Sequence, residues 1–215
     1  MKAMKKTLLL APLAGLVLLS GCSSVNYGDP DKTETLTIDW GSKDLQTFAQ
    51  YMSDSLIGAP NMAYLDKEGK GADKRIVVAF GDVANETREH INTDQITRLM
   101  QSDLFETGKF RFVARNEAGG QGEVAREVNF QASGVTDPAT AIAFGKQINA
   151  DVVVYGNLSD IYKERGRSIE SLGSKSKDLY YQFYMAAVNV ETGELLWVKT
   201  EDIRKTQTVS LFGRG

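Results

Sequence analysis

Apolar positions recur along this chain in two spacings, one helical and one extended. Leu45, Phe48, Ala49, Met52 and Leu56 fall at helical spacing after Ser42, a residue type that caps helices, and Gly58-Ala59-Pro60 ends the run. Ahead of it, Thr37-Ile38-Asp39-Trp40 fits a short strand or a packing arm. Residues 75–83, RIVVAFGDV, open with a continuous apolar stretch, as expected of a central strand buried on both faces. Asn92 or Thr93 caps a second helix carrying Ile96, Leu99, Met100 and Leu104, closed by Gly108. Residues 109–115, KFRFVAR, alternate as a strand does, and 118–132 reads as helical after a glycine-rich start. Asp137-Pro138 sets a cap before a proline at the first helical position, opening a helix with Ala141, Ile142, Phe144, Gly145 and Ile148. Residues 151–158, DVVVYGNL, form the next buried strand. Two further strands, 179–190 and 194–204, flank Glu191-Thr192-Gly193, a hairpin signal. This order of helix, strand, helix, strand, helices and three strands predicts an α/β single domain. Its mixed β-sheet has helices packed on its faces and a C-terminal antiparallel hairpin.

The N-terminus follows different rules. Met1-Lys2-Ala3-Met4-Lys5-Lys6 is basic, 7–19 is apolar, and Leu19-Ser20-Gly21-Cys22 closes on small residues, the pattern of a secretory signal peptide over 1–21. The apolar run falls short of the ~20 residues a bilayer-spanning helix needs, and Pro12 and Gly15 interrupt it. Leu-Ser-Gly-Cys resembles the lipobox of bacterial lipoproteins. That resemblance implies cleavage between Gly21 and Cys22 and acyl chains, palmitate among them, on Cys22. Two or more chains hold a protein stably where one does not. Ser23 stands where enterobacterial lipoproteins retained at the inner membrane carry Asp, so the outer membrane is the expected address, with the protein on its periplasmic face. Residues 22–36 are then the lipidated cysteine and a short polar tether, and 37–215 the globular domain. The tether reaches about 50 Å fully extended and about 20 Å as a coil.

Composition removes several function classes. Cys22 is the only cysteine and His90 the only histidine. A mature chain with its one thiol acylated has no disulfide and no thiol nucleophile, so stability must come from a core. Roughly 180 residues bury about 70% of their unfolded surface, enough for one domain. The chain carries 25 basic and 28 acidic residues. Lys2, Lys5 and Lys6 leave with the signal peptide, so the mature balance is more acidic still, which argues against nucleic acid as a partner.

Candidate chemistry is sparse. A Ser-His-Asp arrangement would have to use His90, which lies in a polar stretch with no nucleophile motif near it and reads as an exposed loop residue. Zinc sites need several His or Cys ligands; no metal site, no cofactor and no catalytic residue is expected. Gly119-Gly120-Gln121-Gly122 precedes a helix but lacks the Gly-Lys-Ser/Thr ending of a phosphate loop. Asp151 and Asp160 flank one strand, as acids at strand ends commonly do. Two features fit a binding surface instead. Lys163, Arg165, Arg167, Lys175 and Lys177 gather in one loop of an otherwise acidic domain, where they could meet an acidic partner or simply be a solvated hairpin tip. Tyr180 and Tyr184 lie on the face of their strand opposite Tyr181, Phe183 and Met185. One set packs on helices; the other is either core as well or an aromatic patch.

The segments RIVVAFGDVANET at 75–87, LFETGKFRFV at 104–113, AIAFGKQINADVVVYGNLSD at 141–160 and AAVNVETGELLWV at 186–198 follow Asp39-Trp40 in order. Together they resemble the LpoB family of penicillin-binding protein activators. The resemblance implies a non-enzymatic outer-membrane lipoprotein that binds a bifunctional penicillin-binding protein of the 1B type and regulates peptidoglycan synthesis and cell shape. The mechanism it implies is allosteric, the activator binding the active state better than the inactive one. Enterobacterial members carry a long Pro-rich linker where this chain has 23–36, and 160–178 looks like an insertion, so no partner-contact residues carry over. The alternative expectation is an assembly or secretion lipoprotein, related to curli-secretion and TolB amino-terminal-like domains.

Overall fold

The first helical stripe folds as α1, Ser42–Ile57, but its N-cap is Gly41 and not Ser42. The Asp44 carboxylate accepts the Gly41 backbone N–H at 2.8 Å, which fixes the helix start one residue earlier than the sequence suggests. Phe48, Met52 and Leu56 are fully buried. A short 3-10 turn, Pro60–Tyr64, follows, and strand β1 runs from Ile76 to Glu86. Helix α2, Asp94–Glu106, takes Thr93 as its N-cap. The Thr93 hydroxyl donates to the Val83 carbonyl at 2.6 Å, tying the helix start to β1. Ile96, Met100 and Leu104 form its buried stripe, while Leu99 lies beside that stripe and is 37% exposed. Gly108, at φ 67°, makes the left-handed turn into β2, Phe110–Phe112. Helix α3, Pro138–Gln147, opens as its sequence predicts, Asp137 accepting from the Ala139 and Thr140 backbone N–H groups. Strands β3, Val152–Arg165, β4, Lys175–Asn189, and β5, Leu195–Val209, complete the order.

The computed structural model describes residues 37–65, 70–112, 137–166 and 174–210, with Asp29, Lys32, Glu68 and Val135 as single positions. The expected signal peptide with Gly21 and Cys22, most of the tether, the glycine-rich segment 119–122, the expected helix over 118–132 and Arg167 lie outside the described residues.

The strands form one mixed sheet in the order β2-β1-β3-β4-β5. β1 pairs parallel with β2 and β3, so it lies inside the sheet, and the last three strands are antiparallel. From β1 the chain passes through α2 to β2 on one side and later returns through α3 to β3 on the other. Open α/β sheets place ligands at the carboxyl ends of the strands where the winding reverses like this. Here the protein's own side chains fill that position. Arg88 donates to Asp160 at 2.8 Å and lies 4.2 Å over the Tyr162 ring. Glu89 accepts the Trp40 backbone N–H at 2.9 Å and the Tyr181 hydroxyl. Residues 37–40 form no strand. They pack as an arm, Ile38 buried and Trp40 stacked on Phe48 at 5.6 Å.

Candidate partner-binding face

Side-chain parity along the strands sorts the core into two layers. Val152, Val154, Leu158, Tyr181, Phe183 and Met185 join α1 and α2 on the inner face. Val153, Tyr155, Ala186 and Val188 join Ala141 and Phe144 of α3 on the outer face. Burial there pushes the Tyr155 phenol up to about 12.

The two layers differ in extent. β1 pairs with β3 only as far as Ser159, so β3, β4 and β5 continue as a three-stranded ribbon beyond it. On the inner face of that ribbon Leu179, Tyr181 and Ile203 still meet the core under α1 and the arm. On the outer face α3 packs over the opposite ends of the strands. Ser159, Ile161, Lys163, Asp178, Tyr180, Gln182 and Arg204 line a groove of ≈ 540 Å³ there. Ile161 is 56% exposed and directly opposes Tyr180. Arg204 donates to Asp178 at 3.3 Å, and the Thr206 hydroxyl donates to the same carboxylate at 2.6 Å. Gln182 donates to Asp202 at 3.1 Å. The Asp202 carboxylate, more than burial, raises the Tyr180 pKa above its ordinary value. The groove is an apolar floor with a charged rim, a shape suited to a protein surface.

The expected cluster of bases is divided by the same parity. Lys163, Arg165, Lys175 and Lys177 lie on strands and not in a loop, because β3 and β4 extend further than their apolar stretches suggest. Lys163 and Arg165 share the outer face with Ile161 and Tyr180. Lys175 and Lys177 share the inner face with Glu164, which forms an ion pair with Lys175. Tyr184 packs against the α3 layer, so β4 has core on both faces at one end and an open aromatic position, Tyr180, at the other. Ile161, Gln182 and Arg204 are groove residues that the sequence does not single out. Ile161 keeps the parity of Val153 and Tyr155, a signal within the strand, whereas Arg204 enters only through the β4–β5 register.

Of the remaining candidates, Asp151 and Asp160 have structural partners. His90 is exposed. Asp151 accepts the Val77 backbone N–H at 2.6 Å and the Lys70 ammonium, joining the starts of β1 and β3. Among the described residues no three His, Cys, Asp or Glu side chains gather as a metal site, and no helix is long and apolar enough to cross a membrane.

The ribbon end should be acid-sensitive. Lys175, then the Tyr162 hydroxyl, holds the Glu164 carboxyl below its ordinary value of 4.5. The Thr206 hydroxyl, with Arg204, holds Asp178 below 3.8. Groups whose folded pKa is depressed contribute stability above the unfolded value and lose it as pH falls through the folded one. As pH falls below 4.5 and then 3.8 towards the lower folded values, amide-exchange protection over 161–165 and 175–180 is expected to fall relative to that over 152–158. Parallel loss in both segments would assign the acid response elsewhere.

A family model described as peptidoglycan-synthase activator LpoB matches residues 44–203. The LpoB C-terminal domain from Escherichia coli superposes with a TM-score of 0.48 at 17% identity, covering 74% of this chain and 98% of that one. The NMR structure of E. coli LpoB gives 0.48 at 17%, with 95% and 91% covered. The lipoprotein GNA1162 from Neisseria meningitidis gives 0.39 at 11%, with 61% and 83% covered. No curated protein matches the chain in sequence. The family model spans most of the chain and takes in the ordered segments from 75 to 198, and on that ground the chain belongs to the LpoB family of peptidoglycan-synthase activators.

Proposed function

We propose that this chain is a non-enzymatic outer-membrane lipoprotein, held through Cys22 on the periplasmic side. Its globular domain, 37–215, binds a bifunctional penicillin-binding protein of the 1B type and raises its activity. Family membership supports the partner class. The observation that carries the proposed contact is the outer-face groove, with Ile161 and Tyr180 as an apolar floor beside Lys163, Arg165 and Arg204. Against Asp178 and Asp202 these three bases leave the rim net basic, which in an acidic domain suits an acidic, partly apolar protein surface. The arm carrying Ile38 and Trp40 packs on the inner face. Activation requires only that the synthase's active state bind this face better than the inactive one.

The test follows glycan polymerisation by the bifunctional synthases of the same organism, with and without the mature chain in detergent. Stimulation is expected from the unsubstituted chain. The double variant Ile161→Asp with Lys163→Glu should weaken half-maximal stimulation at least 10-fold while its melting curve stays unchanged. Stimulation unaltered in that variant would move the contact off the groove, and no stimulation by the unsubstituted chain would overturn the activator reading.

A further inference from the structure

β5 ends the sheet with 15 residues, and among the described residues no strand lies beyond it. An edge strand offers a row of backbone N–H and C=O groups to another strand, and proteins blunt such edges with brevity, proline, bulges or charge. This edge has no proline and runs in unbroken register with β4 from Trp197 to Val209. Its charges are of both signs and closely spaced: Lys199, Glu201, Asp202, Arg204 and Lys205. We propose that this edge pairs with the same edge of a second copy, antiparallel about a two-fold axis at Ile203.

Register decides how the two edges meet. A two-fold axis normal to the sheet keeps inner faces with inner faces, so directly opposed residues must share a face. The centre therefore falls on a residue, and moving it by one residue moves every partner by two. Centred on Ile203, Asp202 opposes Arg204 of the second copy on the outer face, and Glu201 opposes Lys205 on the inner face. Symmetry repeats both pairs. Thr200 meets Thr206, and Ile203, which already packs against the inner core, meets its own copy. A centre at Asp202 sets Lys199 against Lys205 and Glu201 against Ile203. A centre at Arg204 sets Ile203 against Lys205 and Asp202 against Thr206. No other centre from Thr200 to Thr206 opposes all four charges of 201–205 with opposite ones.

The charges keep their bonds within each copy. Lys199 pairs with Glu201 at 3.1 Å, Arg204 with Asp178 at 3.3 Å, and Lys205 with Asp44. A carboxylate has capacity for several donors, so the seam joins existing networks. Opposite charges directly across strands favour the pairing, and like charges oppose it. Backbone bonding thus supplies the attraction, and the charges select the register. Both copies would then share one continuous sheet with their outer-face grooves on the same side.

Cysteine crosslinking of the full chain in its own cell envelope tests this. Directly opposed Cα atoms in an antiparallel ladder lie about 4.5–5.5 Å apart, within the span of a disulfide. Ile203→Cys should give a dimer-sized band on mild oxidation, with the unsubstituted chain as the background for Cys22. The exposed pair Thr200→Cys and Thr206→Cys, placed on differently tagged chains, should crosslink to each other. Thr200→Cys alone should not, because its symmetry mate lies roughly 20 Å away. That exposed pair carries the test if Ile203 tolerates no cysteine. Glu201→Lys with Asp202→Arg should lower the crosslinked fraction at least 10-fold. Absence of both crosslinks, self-crosslinking at Thr200, or an adduct to a chain of another mass would each overturn the proposal.

Discussion

Phe48→Ala is expected to destabilise the domain by about 3–5 kcal/mol, the cost of emptying an aromatic site in a packed core. Phe48 is fully buried at the middle of α1. Its ring stacks on Trp40 at 5.6 Å and tilts against Phe183 of β4 at 5.3 Å. One side chain thus joins three elements: the arm, the first helix and an interior strand. Its loss forfeits both the apolar transfer term and aromatic contacts worth about 0.5–1.5 kcal/mol per pair. Collapse into the vacancy is restricted, because Trp40 is also fixed by its backbone bond to Glu89 and by Tyr181 edge-on at 5.4 Å. For a domain of this size the melting temperature should drop by about 10–15 °C, measured calorimetrically. A loss below about 1 kcal/mol would mean that α1 is held by contacts other than this stripe.

Gly156→Ala carries the second largest expected effect, with a sign opposite to the usual one. Alanine for glycine at a compatible position stabilises by about 0.4–1 kcal/mol through the unfolded chain. At Gly156 a Cβ would lie 2.2 Å from the Tyr184 carbonyl oxygen and 2.9 Å from Met185 Cγ. The obstacle is main chain, and β4 is hydrogen-bonded on both sides, by β3 and β5, so it cannot retreat without breaking a ladder. Gly156 also faces Val83, just past the register shift in β1. A loss of about 3 kcal/mol is expected, as for forced overpacking, read as a lowered denaturation midpoint in urea. Gly166, with nothing within 4 Å of a Cβ, is the control. Gly166→Ala should stay within about 0.5 kcal/mol of the parent.

Which parts of this were legible in the residues depends on the range of the interactions involved. Short-range signals were enough for α1, α2 and α3 and for β1, β3 and the final hairpin. Phe48, Met52 and Leu56 repeat at helical spacing, Asp137-Pro138 states a helix start outright, and Glu191-Thr192-Gly193 states a turn. Even the two layers of β4 follow from alternation, Tyr181 and Phe183 on one side and Tyr180 and Tyr184 on the other. The family was legible for the same reason, since its segments are contiguous. What stayed hidden is set by contacts between residues distant in the chain. Asp44, whose carboxylate caps Gly41 three residues before it, is itself held by Lys205 of β5, a contact the local sequence does not announce. The polar ends of β3 and β4 became strand because each supplies the other's backbone partners, which no apolar pattern announces. Hence Lys163 and Lys175, neighbours in composition, stand on opposite faces of a ribbon. The groove needed more: Ile161, Tyr180 and Arg204 come from three strands, and only pairing register puts them side by side. Local chemistry is written in neighbouring residues, whereas a surface is made by hydrogen-bonded alignment between strands, and that alignment exists only in the folded sheet.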